Sequence, residues 1–362
     1  MAEPKQHHFV TKAYLEGFAP EDGSRLFVYT RNKDGFYRAY PVKVAKIHNY
    51  YSQKRPDGTV DNKLETAMAT QVEGPGVAVL KRLNADHYDI SAYARGRLAF
   101  LMAIQEYRVP WMRETMEDAM KAIQERVVSS MIDRPGYLED RIAQYTAEKN
   151  PENTVTADDL RDSVRTGKIF LARHPGSSLW AMGAVAEMVT QCYFEMKWTI
   201  LESKTIPFIT SDCPVHRYYS PVDTKRPYIG LADDRIQVRF PLSRNKMLVI
   251  EHDQKKMEIW HKLKEIGQDR LADKRRAAAS QIRRREVDAE EVKKLNAHTI
   301  SMASKIVMSS EEMRDIPALF QGECQNVQQK VDDLPGGLIR MQTVYPARKT
   351  YPSIPAAFCV ER

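Results

Sequence analysis

The nine residues PFITSDCPV, at positions 207–215, connect the fold of this chain to its chemistry more directly than any other stretch. Two apolar residues lead into Thr210, Ser211 and Asp212, and a proline follows. The pattern predicts a buried strand that delivers hydroxyls and a carboxylate to its exit, a usual location for catalytic groups. The alternative is an Asx-turn, in which Asp212 bonds only its own backbone.

Further β-rich runs lie on both sides of this stretch. FEMKWTILES (194–203), IQVRFPLS (236–243) and KMLVIEHD (246–253) are separated by turn residues, which indicates a sheet assembled late in the sequence. Near the N-terminus, RLFVYT and FYRAYPV flank a turn that contains Asp34-Gly35. This pair supplies the positive φ of a tight turn and predicts a β-hairpin.

The middle of the chain has helical periodicity. Apolar spacing predicts helices within a block over about residues 62–193, with breaks at Pro110 and Pro135. Two more helices are predicted near the C-terminus, at about 255–295 and 296–313. The expected fold class is therefore α+β: a mixed or antiparallel sheet formed by the N-terminal hairpin and later strands, with the helical block inserted between them.

The domain prediction follows from this order of elements. Residues 1–316 are expected to form a single α+β body, because an isolated hairpin is marginally stable. The polar segment KNPENTVT, ending at Thr156, marks a possible insertion over about 133–175. Residues 317–362 are rich in proline and glycine near their turns, and they are predicted to wrap the body as a tail with one short strand near 338–345.

Composition sets broad limits on function. The 362 residues include 55 Lys and Arg against 48 Asp and Glu, a net charge of +7, which favours anionic partners such as nucleic acid or nucleotides. A solvated basic surface explains the charge equally well. No run approaches the length of a membrane span and no apolar leader is present, so we expect a cytoplasmic protein. The four cysteines lack zinc-like spacing.

Two histidines near the N-terminus are the first candidate site. Val10, Tyr14 and Phe18 recur at helical spacing and predict a helix over residues 7–19. On such a helix the His7 and His8 rings diverge by about 100°, so only one enters a given site. That ring is a candidate general base or metal ligand, and a surface histidine pair is the alternative.

Two acids and an arginine lie on other predicted helices. Glu65 and Glu73 share one helix about 12 Å apart, too far to bind one ion together, and a solvated face is the alternative for both. Gln105 and Arg108 are three residues apart and share a face. A buried Arg108 requires either a structural acid or an anionic ligand.

The basic run from Asp269 to Lys294 is the last candidate. Its arginines and lysines wrap around the predicted helix, and acids neutralise its end, so a solvated helix is the default interpretation. Phosphate contacts or contacts within a homo-oligomer are the alternatives. The chain contains no P-loop, G-x-G-x-x-G, H-E-x-x-H, G-x-S-x-G or kinase signature, which removes most well-marked enzyme classes.

Taken in order, six segments resemble the bacterial family called domain of unknown function 4238. These are HHFVTKAYLEGF, NYYS with the following LE and E, QEYRVP, KWTILES with PFITSDCPV, RFPLSRNKMLVI, and LNAHTISMASKIV. The match spans about residues 5–310. The chain departs from the family pattern at three positions: Thr11 replaces a proline, Cys213 an asparagine, and Arg244 a proline.

The resemblance selects the site residues that lie inside the shared motifs. They are His8, Tyr14, Glu65, Glu73, Gln105, Arg108, Ser211, Asp212 and Asn296. Some family members are associated with antiphage defence, which implies an effector acting on nucleic acid. In the enzyme hypothesis His8, Glu65, Glu73 and Asp212 are catalytic and a divalent metal ion is a candidate cofactor, while His7, Tyr14, Gln105, Arg108, Ser211 and Asn296 bind substrate.

Two other functions stay open at this point. The same polar residues can form a structural network in a non-enzymatic sensor or interaction module. An enzyme acting on NAD or another nucleotide is the third hypothesis. All three depend on polar residues from distant segments meeting in one recess.

Overall fold

A computed structural model defines the fold of the chain. It describes residues 6–54, 60–166, 168, 177–219, 230–231, 233, 235–271, 281–322, 328–334 and 338–344. Among the described residues, no helix is long and apolar enough to cross a membrane.

The predicted N-terminal hairpin is present and joins strands from the far end of the chain. Strand β2 (Leu26–Thr30) pairs with β3 (Tyr37–Ala39), and Gly35 in their turn has φ +73°. Strand β13 (Ile306–Ser309) pairs with β2, and β8 (Thr210–Ser211) pairs with β13, giving the order β3-β2-β13-β8. The predicted union of hairpin and later strands is therefore confirmed, as is the α+β class.

The other late strands form a separate five-stranded sheet with the order β12-β7-β11-β10-β9. Its strands are β7 (Lys197–Ser203), β9 (His216–Tyr219), β10 (Ile236–Ser243), β11 (Lys246–Glu251) and β12 (Arg283–Val287). All pairs are antiparallel except β12 with β7, so the sheet is mixed. Three pairs of short strands complete the β structure of the described residues: β1 (Gln6–His8) with β4 (Lys46–His48), β5 (Gln53–Lys54) with β6 (Val60–Asp61), and β14 (Gln328–Leu334) with β15 (Leu338–Val344).

The helical block agrees closely with its sequence pattern. A short helix, α1 (Lys12–Leu15), precedes the block. The helices of the block are α2 (Lys63–Ala67), α3 (Gly74–Asn84), α4 (Ala92–Tyr107), α5 (Pro110–Ile132), α6 (Tyr137–Glu148), α7 (Ala157–Arg165) and α8 (Ser177–Glu195). A π-helical turn, Met68–Glu73, joins α2 to α3 without a break. The breaks fall at Pro110 and at Gly136, as predicted, and Gly136 has φ +76°. Thr156 and Asp159 form a complete capping box.

Three of the predicted helices are wrong in part. Residues 6–8 form strand β1, so the helical segment begins only at Lys12 and continues as a 3₁₀ turn over Glu16–Phe18. The predicted helix 255–295 consists of α9 (Gln254–Glu265), then β12, then the start of α10 (Ala289–Met302).

The predicted helix 296–313 is α10 followed by β13, and a last short helix, α11, covers Ile316–Leu319. Residues 272–280 lie outside the described residues. The strand predicted near 338–345 is β15, while the rest of the predicted tail beyond residue 344 also lies outside the described residues. That the tail wraps the body stays a prediction.

The chain divides into two compact units. The first comprises residues 1–113, 179–328 and 343–362 and contains both larger sheets. The second comprises residues 114–178 and 329–342 and contains most of α5, all of α6 and α7, and most of the β14–β15 pair.

Helix α10 covers one face of the five-stranded sheet within the first unit. An apolar cluster joins the helix to strands β7, β11 and β12; its members are Leu201, Phe208, Met247, Val249, Val287, Val292 and Leu295. Burial of these side chains supplies the main driving force for docking the helix. The rest of that sheet face, toward β9 and β10, carries polar side chains.

Candidate functional site

Buried and partly buried polar side chains from five segments lie around the guanidinium of Arg108. We call this set the Arg108 cluster; it consists of His7, His8, Thr11, Tyr51, Glu65, Glu73, Gln105 and Arg108. Arg108 follows the last residue of α4, and its backbone N–H still donates to the Ile104 carbonyl. Because Pro110 begins the next helix at once, the chain turns there and holds the Arg108 side chain inside the first unit.

Most N–H groups of the Arg108 guanidinium donate hydrogen bonds to acceptors of the protein. Nη1 donates to Glu73 Oε1 at 2.5 Å, and Nη2 donates to Thr11 Oγ1 at 2.6 Å. Nε and Nη2 both donate to Gln105 Oε1, at 3.1 and 2.6 Å, and Gln105 Nε2 donates in turn to the Phe9 carbonyl. The fully buried cation is thus neutralised by one carboxylate and hydrogen-bonded on three sides, as a buried charge requires.

His7 lies at the buried end of the cluster. Strand β1 directs its ring inward, where it stacks on Tyr51 with centroids 5.7 Å apart. The Tyr51 backbone N–H donates to His7 Nδ1 at 2.9 Å, while Glu65 Oε2 lies 3.9 Å from the same nitrogen. Because Nδ1 is the acceptor, the neutral form of this ring carries its proton on Nε2.

His8 points to the opposite side of β1 from His7, since successive strand residues alternate. Its ring is half-buried and hydrogen-bonds the backbone of Val42, whereas Nε2 has no hydrogen-bond partner among the described residues. Burial lowers the pKa of His8, and the Lys46 and Arg108 charges lower it further, against an opposing effect of Glu73. The ring is therefore neutral at neutral pH and offers a lone pair.

Two partly exposed carboxylates border the cluster. The Glu65 and Glu73 side chains are 26% and 23% exposed. Burial raises the pKa of Glu65, the Glu73 charge raises it further, and His7 and Arg108 oppose the rise. The π-helical turn between the two residues rotates the chain less per residue than an α-helix does, which turns both carboxylates toward Arg108.

Asp212 belongs to a second polar group. Its carboxylate accepts the backbone N–H groups of Ser304, Lys305 and Ile306 at 2.8, 2.6 and 3.2 Å, and so fixes the turn between α10 and β13. Burial raises the pKa of Asp212 to about 6, against the opposing effect of these three hydrogen bonds and of Arg31.

The remaining predicted residues lie beside Asp212. Asn296 accepts from the Ile209 N–H and donates to the Pro207 carbonyl, and Ser211 Oγ accepts from the Cys213 N–H. Tyr14 shares a 2.7 Å hydrogen bond with Thr210. These bonds tie the PFITSDCPV segment to α10 and to α1.

The predicted recess is therefore present in two parts. His7, His8, Glu65, Glu73, Gln105 and Arg108 come together, while Tyr14, Ser211, Asp212 and Asn296 form the second group. No hydrogen bond or ion pair between described residues joins the Asp212 carboxylate to the Arg108 cluster. Helix α1 links the two parts, because Thr11 binds Arg108 and Tyr14 binds Thr210.

Sequence reasoning missed two members of the Arg108 cluster, Thr11 and Tyr51. The doubled aromatic in Asn49-Tyr50-Tyr51 was a usable signal, since Tyr50 also donates to the Arg108 carbonyl at 2.8 Å. No group of three or more His, Cys, Asp or Glu side chains within the described part of the chain is arranged to hold a metal ion.

Together these features define an α+β protein whose N-terminal strand and helical block enclose a buried arginine with two bordering acids and an unpaired imidazole nitrogen. The chain belongs to the family described as protein of unknown function, DUF4238, whose sequence profile matches residues 6–313. The profile thus covers the hairpin, the helical block, both larger sheets and α10. No curated protein matches the chain, and neither does any solved structure.

Proposed function

We propose that the Arg108 cluster is the active site of a hydrolase that cleaves phosphodiester bonds, in a nuclease-like effector of bacterial antiphage defence. One observation carries this proposal: the neutral His8 imidazole, whose Nε2 completes no hydrogen bond with a described residue, lies near Glu73 and Arg108, and Glu65, whose pKa is raised, borders the same arginine. A neutral base and a carboxylic acid whose pKa is raised toward neutrality are what acid–base hydrolysis near pH 7 needs.

The roles divide among the residues as follows. His8 Nε2 accepts a proton from water as the water oxygen attacks phosphorus. In its protonated form, which the raised pKa favours, Glu65 gives its proton to the departing oxygen as the phosphorus–oxygen bond breaks. Glu73 pairs with Arg108 and fixes the position of the helix that carries Glu65. Arg108 is a positioning residue here, because protein acceptors already occupy four of its N–H groups.

The substrate class rests on charge. The net charge of +7 favours an anionic polymer over a neutral substrate. The defence role rests on the family resemblance described above.

The decisive experiment compares two histidine variants. His8→Asn removes the base, and we expect hydrolysis of RNA or DNA to fall by about 10²- to 10⁴-fold. His48→Gln is the matched control, because His48 is exposed on the neighbouring strand β4, and its activity should equal that of the native chain. Each assay is run with Mg²⁺ and with EDTA, and each is repeated with NAD as substrate.

The possible results separate the hypotheses. Full activity in a folded His8→Asn variant contradicts the assignment of His8. Consumption of NAD without cleavage of nucleic acid contradicts the substrate class and favours the nucleotide hydrolase. Loss of activity with EDTA adds a metal ion to the reaction.

A second candidate function has its own supporting observation. His7 is fully buried and Arg108 is hydrogen-bonded to three side chains, which suits a network that only pins the helices in a sensor or interaction module. Glu65→Gln discriminates between the two. A structural network predicts a lower melting temperature with cellular function retained, whereas a site predicts lost function with little change in melting temperature.

A further inference from the structure

A second set of polar side chains lies at the end of the five-stranded sheet that the apolar cluster leaves uncovered. In the antiparallel register of β9 and β10, His216 is opposite Arg239 and Tyr218 is opposite Gln237. Alternation places these four side chains on the same sheet face, and α10 adds His298, whose ring lies 5.0 Å from both His216 and Tyr218. We call this set the His216–Arg239 group; its members are His216, Tyr218, Gln237, Arg239 and His298.

Arg239 is a buried cation without a carboxylate partner. Arg239 is only 9% exposed. Its Nε donates to Gln237 Oε1 at 2.9 Å, and its guanidinium stacks on the Tyr218 ring, 3.8 Å from the ring centroid. Among the described residues, no carboxylate lies within ion-pair distance of it. Burial lowers the pKa of Arg239 to about 10, against opposing effects of Tyr218 and of the more distant Glu291 and Glu251 charges.

Arg217, on strand β9 beside β10, is a buried arginine whose charge does have a carboxylate partner. Arg217 lies on the opposite face of the same sheet, and its Nε is 2.7 Å from Glu106 Oε1 while Nη2 donates to the Tyr107 hydroxyl. The sheet thus pairs one buried arginine with an acid and leaves the next without one.

His216 adds a second uncompensated group. The residue is 3% exposed, and neither ring nitrogen completes a hydrogen bond with any described residue. Burial and the Arg239 charge lower the pKa of His216 to about 3, although the Cys213 and Pro214 backbone opposes the shift. The neutral ring lies close to the Cys213 and Pro214 backbone, but its one N–H donor completes no hydrogen bond of good geometry with a described residue.

We propose that the His216–Arg239 group is a binding site for an anion of the phosphate class, which accepts hydrogen bonds from the Arg239 guanidinium and from a ring N–H of His216. A buried donor left unpaired destabilises the folded state, so native interiors rarely keep two side by side. A cation is disfavoured because Arg239 would repel it.

The position of the His216–Arg239 group also allows an anion to reach it from solvent. Tyr218 and His298 are only partly buried, so the group is reached from the protein surface rather than sealed within it. A guanidinium beside an imidazole matches the several oxygen acceptors of a phosphate. This site lies outside the Arg108 cluster and does not depend on the hydrolase proposal.

The test measures anion binding by the full chain in the absence of any reaction. Inorganic phosphate and AMP are titrated separately by calorimetry into the native chain, into Arg239→Gln and into His216→Ala. We expect the native chain to bind at least one of them, and Arg239→Gln to weaken that binding about tenfold or more, because it removes charge-assisted hydrogen bonds. Arg283→Gln is the matched control, an exposed arginine on edge strand β12 of the same sheet, and its affinity should be unchanged.

The outcomes identify the ligand as well as the site. If the native chain binds free phosphate and both Arg239→Gln and His216→Ala weaken that binding, the ligand is an inorganic anion. If the native chain binds AMP but not free phosphate, the ligand is the phosphate group of a nucleotide. Far-ultraviolet circular dichroism verifies that each variant is folded, and His216→Ala serves if Arg239→Gln is not. Absence of binding of either anion to the native chain overturns the proposal. Equal affinity of the native chain and a folded variant also overturns it.

Discussion

Arg108 and Arg239 are both buried arginines of the same compact unit, yet their surroundings differ in kind. Arg108 meets Glu73, Gln105 and Thr11, and four of its N–H groups have acceptors. Arg239 meets one amide oxygen and the face of a tyrosine. Burial by itself therefore does not identify a functional arginine. The number of hydrogen-bond acceptors around a buried arginine distinguishes one that stabilises the fold from one that can bind a ligand.

The first way to break this comparison is to remove the compensated arginine. Arg108→Gln leaves the Glu73 carboxylate without its partner and frees Thr11 and Gln105 from their hydrogen bonds. We expect the free energy of unfolding to fall by about 3–5 kcal/mol, the usual cost of breaking a buried ion pair from one side. Urea denaturation measures it.

The control for this variant is Arg97→Gln, on the same helix. Arg97 is bonded at the surface to the Tyr93 hydroxyl and the Gln71 carbonyl, so the loss should stay below about 1 kcal/mol. If the two variants lose equal stability, the Arg108 cluster does not stabilise the fold.

Asp212 sharpens the comparison through pH. Its folded pKa of about 6 lies above the ordinary value of 3.8 for an aspartate, so between those two pH values the folded state keeps a proton that the unfolded state has already released. Stability must therefore fall as the pH rises from about 4 to about 6, by about 3 kcal/mol from this group alone.

The measurement is the pH dependence of unfolding in the native chain and in Asp212→Asn. The amide does not titrate, so the native chain should lose stability relative to the variant across this window. Parallel curves would show that the three backbone N–H donors hold the carboxylate ionised in the folded state.

Helix packing next to the Arg108 cluster gives a smaller effect. A Cβ on Gly76 of α3 would lie 2.5 Å from the Cβ of Leu101 on α4, closer than two carbon atoms approach. Gly76→Ala should push apart the helices that carry Glu73 and Arg108, with a loss of about 1–3 kcal/mol.

Two further variants test this cause. Leu101→Gly in the Gly76→Ala background should lose less than the sum of the single changes, because it removes all three Leu101 atoms that the new Cβ would meet, the Leu101 Cβ included. Gly183→Ala in α8 meets nothing within 4 Å and should be neutral or stabilising by up to about 1 kcal/mol, as alanine is in a helix interior. A loss of equal size at both glycines would assign the effect to the backbone rather than to packing.

Local signals in the sequence were enough for much of the fold and for the first half of the site. The Asp34-Gly35 turn predicts the hairpin, because few residues other than glycine adopt a φ of +73°, the value at Gly35. Likewise, the spacing of Gln105 and Arg108 predicts their contact, since residues three apart share a helix face. These predictions needed no knowledge of distant segments.

The errors have the opposite origin. Strand β12 is charged at four of its five positions, so no alternation of apolar and polar residues distinguishes it from a solvated helix. A usable signal followed it, because Asp288 caps α10 by accepting from the Glu291 N–H. The meeting of His216 with His298 has no such local signal, since the register of β9 against β10 and the docking of α10 both depend on tertiary packing.

The smallest expected effect completes the comparison with Arg108. Without an anion, Arg239→Gln removes a charge that no described carboxylate neutralises, while glutamine can keep a hydrogen bond to Gln237. The desolvation cost that is relieved offsets the lost stacking on Tyr218, so the free energy of unfolding should change by no more than about 0.5–1 kcal/mol. Urea denaturation in a phosphate-free buffer measures this change beside that of Arg108→Gln. A loss as large as that of Arg108→Gln would mean that Arg239 also holds the fold together, and its missing carboxylate would then not mark a binding site.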